Sequence, residues 1–343
     1  MSTKPKVLWI GAPFASGAGW DELSHIADVQ ACTSKDRQEF IQDLKGKYND
    51  ITCIGRTFNM AQTGRFDEEL VSHFPPTLKA VCNSGAGYDQ VDVEPLIKRN
   101  IQLSNVTTPV EAPTADTAVY LVLATLRNFQ EGHDLMVKGK WVPGVKSAGS
   151  KLGHNPSAKV VGILGMGGIG RAIRDRLVPF GFKKIIYYNR SKLSPDLEQG
   201  AEYTSFDDLI SNSDIICVSV PLNPKTHHLL DAKVLGKMKK DVIIVNTARG
   251  AVIDEAAILD KLQNNEIGFF GSDVFEFEPK VSQDLLNLPN VVSLPHMGTH
   301  TVEAVLGLES FTVENIDSVL RSGKVKTVVP EMAKIDFGHQ PLV

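Results

Sequence analysis

The chain has 343 residues, more than one ordinary hydrophobic core accommodates and suited to two domains. Apolar residues make up 42% and charged residues 22%, and 36 Lys plus Arg against 40 Asp plus Glu leave a formal charge of −4, the balance of a soluble globular protein. No long basic run occurs, which argues against nucleic acid or an anionic membrane as partner, and no apolar stretch approaches a membrane span.

The N-terminal apolar run, Val7–Ile10, is too short for a signal peptide. Cys32, Cys53, Cys82 and Cys217 are scattered, form no CxxC and read as reduced core residues of a cytosolic protein. Lys6–Ile10 reads as a strand entering a Gly/Ala/Pro loop, Gly11–Gly19. Helices are predicted at Asp21–Ile26, Asp36–Leu44 and Pro95–Arg99, and strands at Asp50–Ile54, Leu78–Cys82 and Ile101–Ser104. Strands separated by helical pieces imply a parallel α/β sheet. The turn Ser84-Gly85-Ala86-Gly87-Tyr88-Asp89 follows one of these strands. It reads either as a plain tight turn or as a nest of N–H groups for an anion.

Apolar positions recur at helical spacing from Thr114 to Met136, the longest helix signal in the chain. Thr114-x-Asp116 suits a capped start, and the apolar character nearly all round predicts burial, including burial between subunits. Lys138–Pro156 reads as a polar connector.

Val160–Leu164 then reads as a buried strand, followed by Gly165, Gly167 and Gly170 in the spacing G-x-G-x-x-G and by a helix-like run from Arg171. The first glycine makes the tight turn, the second lets the backbone approach a pyrophosphate, and the third lets helix and strand pack closely. The phosphates would sit on the unpaired N–H groups of the helix N-terminus. A second strand, Lys184–Tyr188, ends about twenty residues later, as a dinucleotide unit demands. Further strands are predicted at Ile215–Val220, Val242–Asn246, Gly268–Ser272 and Val291–Leu294, about six in all, the number in a complete dinucleotide fold. Helices at Phe206–Ser211, Asp231–Met238 and Glu255–Asn264 separate them, and Val302–Ser322 reads as a closing helix that returns to the first domain. The boundaries expected are 1–110 with 303–343 for one domain and 111–302 for the other.

Ligands of doubly wound sheets bind at the carboxyl ends of the strands. Asn246-Thr247-Ala248-Arg249-Gly250 follows one strand, and the Arg249 guanidinium suits a carboxylate. Ser272–Pro279, with Glu278, follows the next strand, and His296 lies beyond the last. A carboxylate against an imidazole fixes its tautomer and favours its charged form, so Arg249, Glu278 and His296 read as anchor, orienter and acid/base. His227, His228 and His300 read as structural or solvated. No His/Cys/Asp/Glu group has metal-ligand spacing along the chain, so no metal is expected.

With GMGGIG, Asn246–Glu255 (NTARGAVIDE), Ser272–Pro279 (SDVFEFEP) and Leu294–Thr301 (LPHMGTHT) in place, the chain resembles the D-isomer-specific 2-hydroxyacid dehydrogenases over nearly its whole length. Within them it most resembles fungal glyoxylate/hydroxypyruvate reductases, with D-mandelate dehydrogenase-type enzymes as near relatives. The resemblance implies two doubly wound α/β domains, a Rossmann cofactor domain and a flavodoxin-like substrate domain. The active site would lie between them, usually in a homodimer built around the helix at Thr114–Met136. It implies that Arg249, Glu278 and His296 are catalytic and that Ala86 and Gly87 bind a substrate carboxylate. Phe58 and Met60 would line the substrate's R-group, with Trp141 contributed by a partner subunit. Cofactor contacts are expected from Gly165, Met166, Gly167, Gly168, Ile169, Gly170, Thr247 and Gly298, and from Asp273 at the nicotinamide carboxamide.

An NAD enzyme carries Asp or Glu after the second nucleotide strand to bond the ribose 2′-OH. Here Asn189-Arg190-Ser191 stands instead. Asn189 removes a charge that would repel a 2′-phosphate and Arg190 can pair with one, so NADPH is expected, with NADH possible. The implied activity is reduction of a small 2-oxo acid to the D-2-hydroxy acid. Two alternatives stand beside it: an enzyme for larger or aromatic 2-oxo acids, and a dinucleotide-sensing co-regulator that binds other proteins.

Overall fold

The computed structural model describes residues 4–11, 17–57 and 61–343. The chain divides into two compact units, Met1–Val110 with His300–Val343 and Glu111–Thr299.

The first unit carries strands β1 (Lys6–Ile10), β2 (Asp28–Ala31), β3 (Ile51–Arg56), β4 (Ala80–Asn83) and β5 (Gln102–Ser104) in the order β2-β1-β3-β4-β5, all parallel. Parallel neighbours need crossovers. These contain α1 (Ala18–Ser24), α2 (Arg37–Lys45), α3 (Glu68–Ser72) and α4 (Val93–Lys98). Successive side chains of β1 take opposite faces. Val7 and Trp9 join Cys53, Ala80 and Cys82, whereas Leu8 and Ile10 join Ile54, Val81 and Leu103. The first face is covered by Val313, Ile316, Val319 and Leu320 of the closing helix, Val302–Ser322. The second is covered by Phe40, Leu44, Phe66, Leu70 and Leu96.

The second unit contains α5 (Thr108–Leu126, whose first turn belongs to the first unit), α6 (Phe129–Val137), β6 (Val160–Leu164), α7 (Gly168–Leu177), β7 (Lys184–Tyr188), α8 (Pro195–Glu198), β8 (Glu202–Tyr203), α9 (Phe206–Asn212), β9 (Ile215–Val218), α10 (Ala232–Leu235), β10 (Ile243–Asn246), α11 (Glu255–Gln263), β11 (Phe269–Ser272), α12 (Gln283–Leu286) and β12 (Val291–Ser293). Its seven parallel strands run β12-β11-β10-β9-β6-β7-β8. The order reverses between β6 and β9, so the loops that leave β6, β10, β11 and β12 share the edge where α/β sheets bind ligands. Ala115, Ala118, Leu121 and Val122 of α5 pack on Val161, Ile163 and Val245.

The structure corrects several expectations. Strands β2 and β8 have no counterpart in the sequence reading: β2 is a half-exposed edge with Asp28 and Gln30, and β8 has two exposed residues. α3 is a single short turn begun by the Asp67 cap, whose side chain accepts from Leu70 N. The helix expected at Thr114–Met136 begins at Thr108, runs through Pro113 and ends at Leu126. Proline removes one rung of the ladder, which is why the sequence suggests a start just after it. Asn128 then turns left-handed (φ 53°) and α6 begins afresh. The Asn128 amide donates to Lys151 O and Leu152 O, which holds the break. The longest helix is the 21-residue Val302–Ser322, against 19 residues in α5. The helix expected at Asp231–Met238 shrinks to α10, with Asp231 as its cap.

All four cysteines are free and buried, and burial pushes the Cys82 and Cys217 thiols up to about 12. Among the described residues no helix is long and apolar enough to cross a membrane.

At Gly170 a Cβ would lie 2.2 Å from the backbone oxygen of Gly165. Gly170→Ala should therefore lower stability by about 1–3 kcal/mol through overpacking, read as an earlier midpoint in urea.

Candidate active site

The glycine loop joins β6 to α7. Gly165 has φ +98°, and a Cβ there would meet Ser219 C at 2.8 Å, so no other residue fits without displacement. Gly167 has no atom within 4 Å of the place a Cβ would occupy, which leaves the backbone open to a phosphate before the N-terminus of α7. Gly168, whose Cβ position lies 1.8 Å from Glu111 Oε1, begins α7, and Ile169 packs against the core around α5. The turn at Gly165 and the close packing at Gly170 follow the spacing, and the open backbone at Gly167 fits a pyrophosphate.

Met166 is wholly buried, and its N–H donates to Asn189 Oδ1 at 2.7 Å. Asn189, just past β7, thus clamps the glycine loop, which its position in the sequence did not suggest. Arg190 and Ser191 beside it are exposed.

Beyond β10, Asn246 is wholly buried, and its side chain spans the next turn. Oδ1 accepts from Ala248 N at 3.0 Å and Nδ2 donates to Arg249 O at 3.0 Å. The turn buries Thr247 and carries Arg249, whose Nη1 donates to Ala248 O at 2.8 Å. A Cβ on Gly250 would meet Phe275 C at 1.9 Å, so this turn and the loop after β11 touch backbone to backbone. Glu255 and Glu276 tie the same loops reciprocally: Glu255 N donates to Glu276 Oε2 (3.2 Å) and Glu276 N to Glu255 Oε2 (3.0 Å).

His228 Nε2 adds a 2.8 Å contact to Glu276 Oε1, and the His227 and His228 rings stack at 4.0 Å. Ligand atoms of His227, His228 and Glu276 thus lie within 4.8 Å of one another, a grouping hidden by 48 residues of separation. Both Glu276 oxygens take hydrogen bonds, Oε1 with His228 Nε2 and Oε2 from Glu255 N. His300 is exposed.

His296 and Glu278 meet at this edge of the sheet. His296 Nδ1 lies 2.7 Å from Glu278 Oε2, and Glu278 Oε1 accepts from Phe275 N at 2.8 Å. Burial pushes the Glu278 carboxyl up. The bonds from His296 and Phe275 N, with the charges of His296 and Arg249, outweigh it and hold the group below the usual carboxylate range. The pair is open on its other side, with 47% of the His296 side chain and 33% of Glu278 exposed. His296 itself is left-handed (φ 51°), a conformation that needs support from its neighbours. Asp273 supplies it. Its carbonyl accepts from His296 N, Oδ1 from Met297 N and Oδ2 from Gly298 N, each at 2.8 Å. Asp273 is almost fully buried, and burial pushes its carboxyl up despite these two amides.

In the first unit, the turn after β4 is drawn inward by its carbonyls. Asn83 Nδ2 donates to Gly85 O (3.1 Å) and Gly87 O (3.0 Å), Asn105 Nδ2 to Ala86 O (2.8 Å), and Val106 N to Gly85 O (3.0 Å). In a trans peptide the N–H points opposite to the C=O. The Ala86 and Gly87 amides therefore face outward, and neither meets an acceptor among the described residues. Asn83, Asn105 and Asn246 shape these turns and were missed; each is a neutral amide at a strand end, with no charge or spacing to mark it. Phe58 and Met60 lie outside the described residues, and Trp141 is exposed.

The family model for the NAD binding domain of D-isomer specific 2-hydroxyacid dehydrogenases matches residues 119–298. Glyoxylate reductase 1 of Saccharomyces cerevisiae is 47% identical over all of both chains. The crystal structure of a glyoxylate reductase from Paecilomyes thermophila superposes with a TM-score of 0.91 at 39% identity, covering 96% of this chain and 99% of that one. An NADPH-dependent glyoxylate/hydroxypyruvate reductase from Sinorhizobium meliloti, in complex with NADP and malonate, gives 0.83 at 29% over 96% and 98%. D-mandelate dehydrogenase of Rhodotorula graminis gives 0.87 at 31% over 95% and 98%. With its glycine loop, its two parallel α/β sheets and these full-length relatives, the chain belongs to the D-isomer specific 2-hydroxyacid dehydrogenases, a family of oxidoreductases.

Proposed function

We propose that this protein reduces small 2-oxo acids, glyoxylate and hydroxypyruvate foremost, to D-2-hydroxy acids with NADPH. The observation that carries the proposal is the 2.7 Å contact between His296 Nδ1 and Glu278. With Nδ1 held, Nε2 is the nitrogen left to give a proton to the carbonyl oxygen. Glu278 stabilises the imidazolium before the transfer and fixes the ring's orientation. Arg249 and the Ala86 and Gly87 amides take the substrate carboxylate, and Arg249 polarises the ketone. The dinucleotide supplies the hydride when bound. Arg190 and Ser191 meet its 2′-phosphate, and Asp273 fixes the His296–Gly298 turn beside the nicotinamide. The likeness to D-mandelate dehydrogenase favours a second substrate class, larger or aromatic 2-oxo acids.

A homodimer and a cytosolic setting belong to the same reading. Phe129 (54% exposed), Val137 (71%), Trp141 (66%) and Leu152 (96%) are apolar side chains that α6 and the connector after it leave exposed, and a partner subunit would cover them. The free, buried cysteines suit a reducing compartment.

His296→Ala should cut kcat for glyoxylate by about 10²–10⁴-fold while the NADPH Kd, measured by fluorescence titration, stays close to that of the native chain. Near-native turnover would remove His296 from this role. Glu278→Gln should lower kcat, because the carboxylate that holds His296 Nδ1 and fixes the ring's orientation is lost. With Glu278 held below its ordinary range, the pair's contribution is present above the unfolded-state carboxyl value and is lost as pH falls through the lower folded one. Steady-state comparison of kcat/KM for NADPH and NADH should favour NADPH, and Arg190→Ala should narrow the gap from the NADPH side; a native preference for NADH would refute the assignment of Asn189 and Arg190.

A further inference from the structure

Arg56 is the last residue of β3 and only 1% exposed. Its guanidinium lies 4.8 Å from the centre of the Phe66 ring. Nη1 donates to Asn83 Oδ1 at 2.8 Å and Nη2 to Gln90 Oε1 at 3.0 Å, while Nε is buried without an acceptor. Both partners are neutral amides. Among the described residues Arg56 makes no ion pair, and the charge of Asp89 favours its charged form. Burial pulls its pKa down to about 10, which leaves it charged at neutral pH. A buried cation whose hydrogen-bond partners are all neutral amides keeps part of its charge unmet, and an anion that arrives in the neighbouring turn would be stabilised by it.

The link to the turn is chemical. A guanidinium only donates, so Asn83 must present Oδ1 to Arg56, and its Nδ2 must then face the carbonyls of Gly85 and Gly87. That orientation turns the Ala86 N–H outward. The buried Ser84 hydroxyl beside it also has no partner.

We propose that Arg56 is the built-in counter-charge for the carboxylate of the substrate, acting through Asn83 on the Ala86–Gly87 turn without touching the ligand. This rests on the reading that these amides take the carboxylate. Arg56 is thus a positioning residue that makes the turn selective for an anion over a neutral carbonyl compound.

Gln90→Glu separates charge from shape, because it gives Arg56 an ion-pair partner at Nη2 while Nη1 keeps its bond to Asn83. Calorimetric titration with oxalate, which needs no turnover, reads the anion affinity of the native chain and its variants. Gln90→Glu should raise Tm yet weaken oxalate binding by at least about tenfold, and the KM for glyoxylate should rise in parallel with little change in kcat. Arg56→Met should weaken oxalate binding to a similar degree, while Arg56→Lys, which keeps the charge, should retain most of the affinity. A Gln90→Glu protein with raised Tm and native oxalate affinity would overturn the proposal, as would equal losses in Arg56→Lys and Arg56→Met. Failure of the functional reading shows differently, as no oxidation of NADPH by the native chain with any 2-oxo acid.

Discussion

The 2.7 Å contact between His296 and Glu278 is only as good as the loops that carry its two ends, and those loops are held by backbone. Gly250 lies directly against the Phe275–Glu276 peptide, so the turn bearing Arg249 and the loop bearing Glu278 have one relative position. Glu255 and Glu276 exchange bonds with each other's N–H groups across the same junction. Asp273 holds three successive amides of the loop that carries His296. A general acid needs its geometry before its pKa. Here the geometry is set by groups outside the pair, which leaves His296 and Glu278 open on one side without leaving them loose.

The two units treat buried charge differently. Asp273 and Glu255 are buried acidic side chains that accept from backbone amides, the pairing that costs least because donors at loop and helix starts would otherwise be unpaired. Arg56 is a buried cation whose hydrogen bonds go to neutral amide oxygens, with the charge of Asp89 as its electrostatic support. A neutral acceptor satisfies a guanidinium's geometry but not its charge, and the electrostatic remainder acts on whatever occupies the neighbouring turn. The inward-facing carbonyls at that turn and the outward-facing amides follow from the same arrangement.

Much of this was legible along the chain because the informative residues sit at transitions. An apolar run that ends in glycine, or in a charged residue, marks a strand leaving the core for the ligand edge. Gly165, Arg249, Glu278 and His296 all stand at such points. The parallel sheets were legible from the alternation of strand and helix signals. What escaped had a weak local signal. β2 and β8 are edges, where half the residues face water and the period-two pattern fades. The run through Pro113 escaped because proline's local preference is to stop a helix, whereas the burial of Ala115, Ala118 and Leu121 favours continuing it. Asn83, Asn105 and Asn246 look like ordinary turn residues until the fold shows which carbonyls face them. The His228–Glu276 contact joins positions 48 apart, beyond any spacing rule.

Asn189 shows how one position can serve two demands. The amide at Met166 needs an acceptor, since Met166 is buried within the glycine loop, and a carboxylate would serve as well as the carboxamide that is there. The second demand is electrostatic and separates the two side chains. A carboxylate at this strand end favours a ribose hydroxyl and repels a phosphate, whereas a carboxamide keeps the clamp and drops the charge. Under the proposed preference for NADPH, the loop keeps its shape while the change in cofactor is confined to the charge at one atom pair and to the exposed guanidinium of Arg190. Cofactor choice at such a site is then a question of local charge, separable from the packing of Gly165 and Gly170 that makes the phosphate cradle.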